Sequence, residues 1–311
     1  MPEMIAIRDA YGAALKKLGG QNENVVVLEA DVGSSSKSIV FGKEYPERYF
    51  NVGIAELNMT AMAAGFALSG QIPFVNTFAS FLTTRASDPV NSLIAYDHLN
   101  VKLCGTYSGL SDSYDGASHH SLSDLAFVRT LPGFTVISVC DAVETEKAVF
   151  EAAKLNGPVY LRLSRAPAPV IYDQSFNFQV GKGVVLREGN DVAILATGYM
   201  VHKAMEAALL LSEQGISSRV VDIHTICPLD EELIVDCVRK CGCILTVEEH
   251  SVYGGLGSAV SEVVSSQCPA PVERMGLTDF SESGAYEELI ANAGLDARSI
   301  AARAQKIIGR K

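Results

Sequence analysis

Short apolar segments alternate with longer amphipathic segments along most of the chain. The apolar runs predict buried strands, at residues 24–29, 74–76, 101–105, 133–139 and 159–162. Between them, apolar residues that recur every three or four positions predict helices, at residues 4–18, 54–68, 80–96 and 142–154. Near-continuous apolar strands separated by helices are typical of a parallel sheet that is covered on both faces.

The pattern breaks at residues 165–180, which are rich in proline and polar side chains, and then restarts. The second series predicts further strands at residues 192–196, 218–223, 244–248 and 272–276, with helices at 201–214, 230–241 and 256–266. We therefore predict an α/β protein with two tandem three-layer domains and mostly parallel sheets. The predicted boundaries are residues 1–170 for the first domain, 171–185 for a linker and 186–311 for the second domain.

Composition narrows the class of protein. Hydrophobic residues make up 48% of the chain and the net charge is −11, which argues against a non-specific nucleic-acid surface. No run approaches the ~18 apolar residues of a membrane span, and the first residues lack the apolar core of a signal peptide. The seven cysteines are scattered, as reduced thiols are in cytoplasmic proteins. We predict a cytoplasmic globular protein.

Two candidate ligand motifs have simpler structural interpretations. Cys237, Cys241 and Cys243, with His224 and Cys227 upstream, match no common zinc spacing, so buried core thiols are favoured and no metal site is assigned. The segment GGLGSA at residues 254–259 resembles a dinucleotide-binding loop, but the third glycine of that motif is missing. A tight turn between a strand and a helix is favoured there.

Two other features point toward chemistry. Glu56 is the one carboxylate in NVGIAELNMTAMAAG, residues 51–65, where an acid in the first helical turn can simply complement the helix dipole. Residues 106–124 form a long loop rich in serine and glycine that carries His119 and His120 and follows a predicted strand. Ligands of open parallel sheets bind beyond the carboxyl ends of strands, so a functional loop is expected.

The order of several motifs resembles one known family. GIAELNMTAMAAG, NTFASF and DGASHH, in that order, resemble the C-terminal half of a transketolase. VEEHSVYGGLGSAVSE and DFSESG resemble its C-terminal domain, so the resemblance extends from about Arg8 through the final helices. It implies that the first domain is the pyrimidine-binding domain of a thiamine diphosphate enzyme. The implied activity is transfer of a two-carbon ketol unit between sugar phosphates.

The resemblance implies a cofactor site in the first domain. Glu56 corresponds to the acid that hydrogen-bonds the aminopyrimidine ring and relays the proton by which the cofactor becomes a nucleophile. Phe78 and Phe81 correspond to aromatic residues that stack on this ring, whereas Thr84 stands where a third aromatic is usual. Asp31, in EADVGSSS, corresponds to an acid near the cofactor and the subunit interface.

The resemblance also implies a substrate site. Asp115 and His119 correspond to residues that contact the hydroxyl and carbonyl groups of a ketose donor, and His119 would be catalytic by assisting proton movement. His120 replaces a common glutamine and is assigned no role.

Arg8, Ser35 and Arg165 correspond to residues that bind the phosphate of the substrate. Tyr107 stands where a phosphate-binding histidine is usual, eight residues before Asp115, so the exact sugar remains open.

One part of the expected site is missing from the sequence. Full-length members of this family bind the diphosphate through Mg²⁺ with a G-D-G motif and a later asparagine, and this chain has no G-D-G. Because only seven residues precede Arg8, we expect a second polypeptide, an N-terminal transketolase subunit, to carry that domain. An α2β2 heterotetramer with thiamine diphosphate and partner-bound Mg²⁺ follows from the resemblance.

Other functions stay open at this point. The β subunit of a 2-oxo acid dehydrogenase E1 has a similar length and the same domain order, although DGASHH favours sugar phosphates. A half of a 1-deoxyxylulose-phosphate synthase is a further relative. A non-catalytic binding or regulatory subunit would use Glu56 only as a helix cap, and a Rossmann dehydrogenase is a weaker alternative.

Overall fold

The computed structural model describes residues 3–311. Its strands are β1 Met4–Ala6, β2 Val25–Glu29, β3 Tyr49–Asn51, β4 Ile72–Phe78, β5 Lys102–Thr106, β6 Thr135–Ser138, β7 Val159–Leu163, β8 Pro167–Pro169, β9 Val184–Arg187, β10 Val192–Ala196, β11 Ser218–Asp222, β12 Thr225–Cys227, β13 Ile244–Ser251 and β14 Val272–Leu277.

The helices alternate with these strands. They are α1 Ile7–Gln21, α2 Gly33–Ser36, α3 Ile39–Glu44, α4 Glu56–Leu68, α5 Ala79–Thr84, α6 Ser87–Pro89, α7 Asp124–Arg129, α8 Ala142–Lys154, α9 Met200–Ser212, α10 Glu231–Cys241, α11 Leu256–Gln267, α12 Tyr286–Asn292 and α13 Ala297–Ile308. A 3₁₀ turn covers Pro46–Arg48, and a π-helical segment covers Val90–Ala95.

The first large sheet has seven strands in the order β12-β6-β7-β5-β4-β2-β3. All neighbours run parallel except β12, which pairs antiparallel with β6. Strands β2, β5 and β7 are buried along their whole length, as expected for a sheet covered on both faces, and they bury the polar side chains of Glu29, Lys102 and Arg162 as well as apolar ones. Helices α1 and α8 pack together on one face, and α4 packs with the π-helical segment on the other.

The second large sheet has five strands in the order β14-β13-β10-β11-β9. It is parallel except for β9, which pairs antiparallel with β11. The prediction of an α/β fold with mostly parallel sheets is confirmed. Strand β12 follows β11 in the chain but joins the edge of the first sheet, so the two halves of the chain share a strand pairing. Each of the two apolar cores likewise contains residues from both halves.

Three sequence predictions of local structure were wrong. The helix predicted at residues 4–18 begins as a strand, because Met4–Ala6 pairs antiparallel with Pro167–Pro169. That same pairing places a strand at Pro167–Pro169, within the interruption at residues 165–180 where no strand was predicted. The single helix predicted at residues 80–96 is divided into α5, α6 and the π-helical segment. Proline at 89 cannot donate a helical hydrogen bond, which is consistent with an interruption there.

The glycine-rich turn before α11 is closed by a carboxylate of the protein itself. Glu248 accepts hydrogen bonds from the backbone N–H groups of Leu256, at 2.7 Å, and Gly257, at 2.8 Å. These N–H groups lie at the start of the helix, where an anion is favoured. The prediction of a tight turn rather than a dinucleotide loop is therefore confirmed.

The cysteines named in the zinc alternative lie mainly in the core. Cys237, Cys241 and Cys243 are each at most 1% exposed, and all are free thiols. Burial raises the pKa of the Cys237 thiol to about 12 and that of Cys241 to about 11. Separately, within residues 3–311 no helix combines the length and the apolar character needed to cross a bilayer.

Candidate active site

The predicted site residues follow the carboxyl ends of neighbouring parallel strands. Phe78 ends β4, Tyr107 follows β5, and Arg165 comes soon after β7. Phe78 is paired in register with Thr106, the last residue of β5, so the segments that follow these two strands begin side by side. Glu56, after β3, starts helix α4. One edge of the first sheet therefore collects the side chains named from sequence, as expected for an open parallel sheet.

Glu56 is buried, with 5% of its surface exposed. Its side chain does not cap helix α4, because its carboxylate accepts a hydrogen bond from the Arg85 guanidinium at 2.7 Å. The same guanidinium lies over the ring of Phe81, with its carbon 3.6 Å from the ring centroid. Glu56 and Phe81 thus form a site in which a flat cation, here the Arg85 guanidinium, donates a hydrogen bond to one residue and stacks on the other.

An aromatic cluster extends the site from Phe81. The rings of Phe78 and Phe81 have centroids 5.6 Å apart, and the His119 imidazole packs edge-on against Phe81 at 5.0 Å. Phe78 also contacts Tyr107, at a centroid distance of 4.5 Å. His119 is half-buried, and its Nδ1 lies 2.9 Å from the Ser118 hydroxyl. The structure therefore places the predicted catalytic histidine beside the two predicted stacking rings.

The predicted phosphate ligands converge on Tyr107. Arg8 donates hydrogen bonds to the Tyr107 hydroxyl and, at 3.3 Å, to the backbone carbonyl of Ser35. Arg165 faces the same tyrosine, with its guanidinium carbon 5.1 Å from the ring centroid. Two cations and a hydroxyl-bearing residue are thereby held together at this edge of the sheet, a group suited to binding an anion.

The remaining two predicted residues lie in different surroundings. Asp115 is exposed. One carboxylate oxygen of Asp112, one of Asp115 and one ring nitrogen of His119 lie within 4.8 Å of one another. Asp31 is exposed in a left-handed conformation, φ +59°, and its carboxylate accepts a hydrogen bond from Asn51 at 3.0 Å. The structure thus groups Asp115 with His119 and ties Asp31 to the end of β3.

The long polar loop is held from the second half of the chain. The Leu110 backbone N–H and, at 2.8 Å, the Tyr286 hydroxyl both donate to the Glu249 carboxylate. Further backbone bonds join Ser251 to Leu122 at 2.9 Å. Burial raises the pKa of Glu249 to about 7. Strand β13 therefore anchors the loop that carries His119.

Three residues of the site were assigned no functional role from the sequence. Arg85 and Asp112 stand in no motif that we recognised, and Tyr107 was noted only as a departure from the usual histidine. Arg85 follows Thr84, the position of the missing third aromatic, and Asp112 precedes Asp115 by three residues in the same loop. The only signal available was this proximity in sequence, because their partners Glu56 and Arg165 are distant along the chain.

Comparison with known proteins defines the class. The model for the transketolase pyrimidine-binding domain matches residues 3–169, and that for the transketolase C-terminal domain matches residues 181–300. The chain belongs to the transketolase family and corresponds to the C-terminal part of its members.

Particular relatives are similar over nearly their whole length. A chain of Methanocaldococcus jannaschii named as a transketolase C-terminal section is 42% identical over 301 residues, which cover 96% of this chain and 94% of that one. A 6-deoxy-6-sulfo-D-fructose transketolase subunit of a Clostridium species is 39% identical over 98% of this chain and 95% of its own. A solved structure described as a split gene transketolase, inactive beta4 tetramer, has a TM-score of 0.91, 44% identity and 99% coverage of both chains.

Proposed function

We propose that this chain is the C-terminal, or β, subunit of a two-chain thiamine diphosphate-dependent transketolase. It would transfer a two-carbon ketol unit between sugar phosphates. The observation that carries the proposal is the buried Glu56 carboxylate beside the Phe81 ring. The Arg85 guanidinium, a flat hydrogen-bond donor, contacts both of them. A protonated or donor-bearing heteroaromatic ring would satisfy the same two surfaces.

The residues of this chain have separable tasks in that reaction. Thiamine diphosphate, when bound, supplies the carbon nucleophile that takes up the ketol unit. Glu56 would hold and exchange a proton at the pyrimidine nitrogen, and its burial excludes water that would weaken this hydrogen bond. Phe78 and Phe81 would flank the ring, and Asp31 would lie near the cofactor at the subunit interface.

The substrate would extend from the rings toward the arginines. His119, which lies against Phe81, would move a proton on the ketose while a carbon–carbon bond breaks, with Asp115 holding a sugar hydroxyl. Arg8, Ser35 and Arg165 would bind the phosphate. The placement of Arg8 and Arg165 about Tyr107 supports this assignment.

The exposed surface of helix α4 supports a partner subunit. Met59 and Ala63 are buried on one side, whereas Ile54, just before the helix, and Leu57 and Leu68 are 75%, 54% and 73% exposed. A helix that is apolar on both sides is normally covered on both sides. This surface adjoins Glu56, so a covering partner would also close the cofactor site.

The partner would be an N-terminal transketolase subunit that binds the diphosphate and Mg²⁺. Relatives of similar length, named as a transketolase C-terminal section and as a split gene transketolase, support this division. We propose an α2β2 heterotetramer. Seven free cysteines support a reducing compartment such as the cytoplasm.

The test is Glu56→Gln in the complex with a partner chain that carries the G-D-G domain. Loss of the proton relay should lower ketol transfer by about 10²-fold, because general acid–base groups contribute at that level. Glu23→Gln, an exposed acid outside the site, is the matched control and should keep the full rate. Full activity of Glu56→Gln would contradict the proposal, and activity with a 2-oxo acid but not with a ketose phosphate would favour the dehydrogenase alternative.

A further inference from the structure

Arg8 and Arg165, which are assigned to the phosphate group of the substrate, differ in whether an acid compensates their charge. Arg8 is bonded to the hydroxyl of Tyr107 and to a backbone carbonyl, both of which leave its charge uncompensated. Arg165 donates to the carboxylate of Asp112 at 3.2 Å. We call Arg8, Tyr107, Asp112 and Arg165 the end-group pocket. Its charge therefore depends on the ionisation of one acid.

Asp112 is placed where its ionisation matters. It has no exposed surface, and within residues 3–311 its Oδ2 atom is buried without a hydrogen-bond partner. The titratable or charged side chains that face it are those of Asp115, His119 and Arg165. Burial, followed by the nearby Asp115, raises the pKa of Asp112 to about 7, although Arg165 acts in the opposite direction. The carboxyl thus changes charge near neutral pH.

The two charge states present different pockets to a substrate. With Asp112 protonated, both guanidinium groups are available to a doubly charged phosphate. With Asp112 ionised, its charge compensates Arg165, and a second negative charge on the substrate is repelled in a site where water screens poorly. When Asp112 ionises, a singly charged end group therefore loses less binding affinity than a phosphate dianion does.

We propose that Asp112 is a specificity-determining residue that selects substrates by the charge of their terminal group. Protonated Asp112 leaves Arg165 free for a phosphate dianion, and ionised Asp112 holds Arg165 and shifts the preference toward a single negative charge. The inference rests on the proposed function, because it assumes that Arg8 and Arg165 bind the substrate end group. Tyr107, in a left-handed conformation with φ +58°, is contacted on its ring by both arginines, at 5.5 and 5.1 Å from the ring centroid.

The test compares two sugars that differ in the charge of one group. Fructose 6-phosphate gains its second charge near pH 6, whereas 6-deoxy-6-sulfofructose keeps one charge throughout. Binding of each sugar to the complex is measured calorimetrically from pH 6 to pH 8.5. In the wild-type protein, the ratio of the phosphate Kd to the sulfonate Kd should rise by about tenfold, equivalent to a coupling of one pKa unit.

The Asp112→Asn variant keeps the size of the side chain and an acceptor for Arg165 but cannot ionise. Its Kd ratio should stay flat or fall with pH, because the phosphate gains charge while the pocket does not. Asp112→Ser should behave in the same way, which guards against an effect peculiar to the amide. Asp97→Asn, at an exposed acid outside the pocket, is the matched control and should follow the wild type. A ratio that rises equally in Asp112→Asn and in the wild type would overturn the proposal.

Failure of the proposed function gives a different result. If both sugars bind and the Kd ratios behave as described, but no ketol transfer occurs, the charge selection stands and the transketolase activity is wrong. If neither sugar binds the wild-type complex, both proposals are overturned. If transfer occurs and Asp112→Asn leaves the pH dependence unchanged, the function stands and the role of Asp112 is rejected.

Discussion

The Arg85 guanidinium is bound to the buried carboxylate of Glu56 at 2.7 Å while it lies 3.6 Å from the ring centroid of Phe81. These are the two surfaces that the proposed function assigns to the aminopyrimidine ring. Arg85 is about half exposed, so it can leave toward solvent without moving the backbone. Under the proposed function, binding of the aminopyrimidine ring would displace the arginine side chain.

Replacing Arg85 by methionine should tighten binding of thiamine diphosphate. A half-exposed ion pair and a cation–π contact are each worth about 0.5–1 kcal/mol, and this cost of displacement disappears in the variant. We expect the Kd to fall by about five- to thirtyfold, measured calorimetrically on the complex with Mg²⁺ present. Arg298→Met, at an exposed arginine in the second half of the chain, is the control. Weaker binding in Arg85→Met would mean that the guanidinium helps to hold the cofactor.

A charge on the exposed side of helix α4 should prevent assembly. Leu57 is 54% exposed, and Leu57→Lys would place an ammonium group in the surface proposed to meet the partner. Burying that charge is costly, so the affinity of the two subunits should fall by more than about tenfold. Leu209→Lys, at a leucine that is 59% exposed on α9, is the matched control. Sedimentation of mixed subunits measures the effect, and equal assembly of both variants would place the partner elsewhere.

Stability should depend on pH through Glu249. Burial raises the pKa of this carboxyl from its ordinary 4.5 to about 7, so the folded protein binds more protons than the unfolded chain between these values. The free energy of unfolding must then decrease as the pH rises through this window. Between pH 5 and pH 8 we expect the wild type to lose on the order of 2 kcal/mol relative to Glu249→Gln.

Urea unfolding of both proteins at each pH measures this difference. Other buried acids with raised pKa values, such as Asp222, titrate in both proteins and cancel in the comparison. Parallel stability curves for the wild type and Glu249→Gln would show that the loop anchor does not titrate there.

The turn before α11 should not tolerate a side chain. A Cβ atom at Gly255 would lie 2.8 Å from Nδ1 of His250 and 2.9 Å from the carboxyl carbon of Glu248, both of them buried. Gly255→Ala should therefore destabilise the protein by about 1–3 kcal/mol, as overpacking does elsewhere. Gly309→Ala, where the nearest atom is at 3.6 Å, is the control. Thermal unfolding that is identical for both variants would contradict the rigidity of this turn.

The sequence was a good guide to elements whose signal is local. Helix α8 and strand β10 have the predicted limits, because their periodicity and apolar runs are uninterrupted. The short edge strands were missed, since β1, β8 and β12 have only three residues each and exist through pairing with distant segments. No local pattern distinguishes such a segment from a loop.

The sequence by itself determined the fold class and the kinds of residue at the site, since apolar periodicity and motif order are written along the chain. Only the tertiary structure decided which charges meet. Arg85 reaches Glu56, Asp112 compensates Arg165, and Glu249 anchors the loop before His119. Arg85 and Glu56 are 29 residues apart in the chain, Arg165 and Asp112 are 53 apart, and Glu249 is 139 residues from its partner in the loop, Leu110. No sequence pattern joins such residues, because electrostatic contact depends on distance in space.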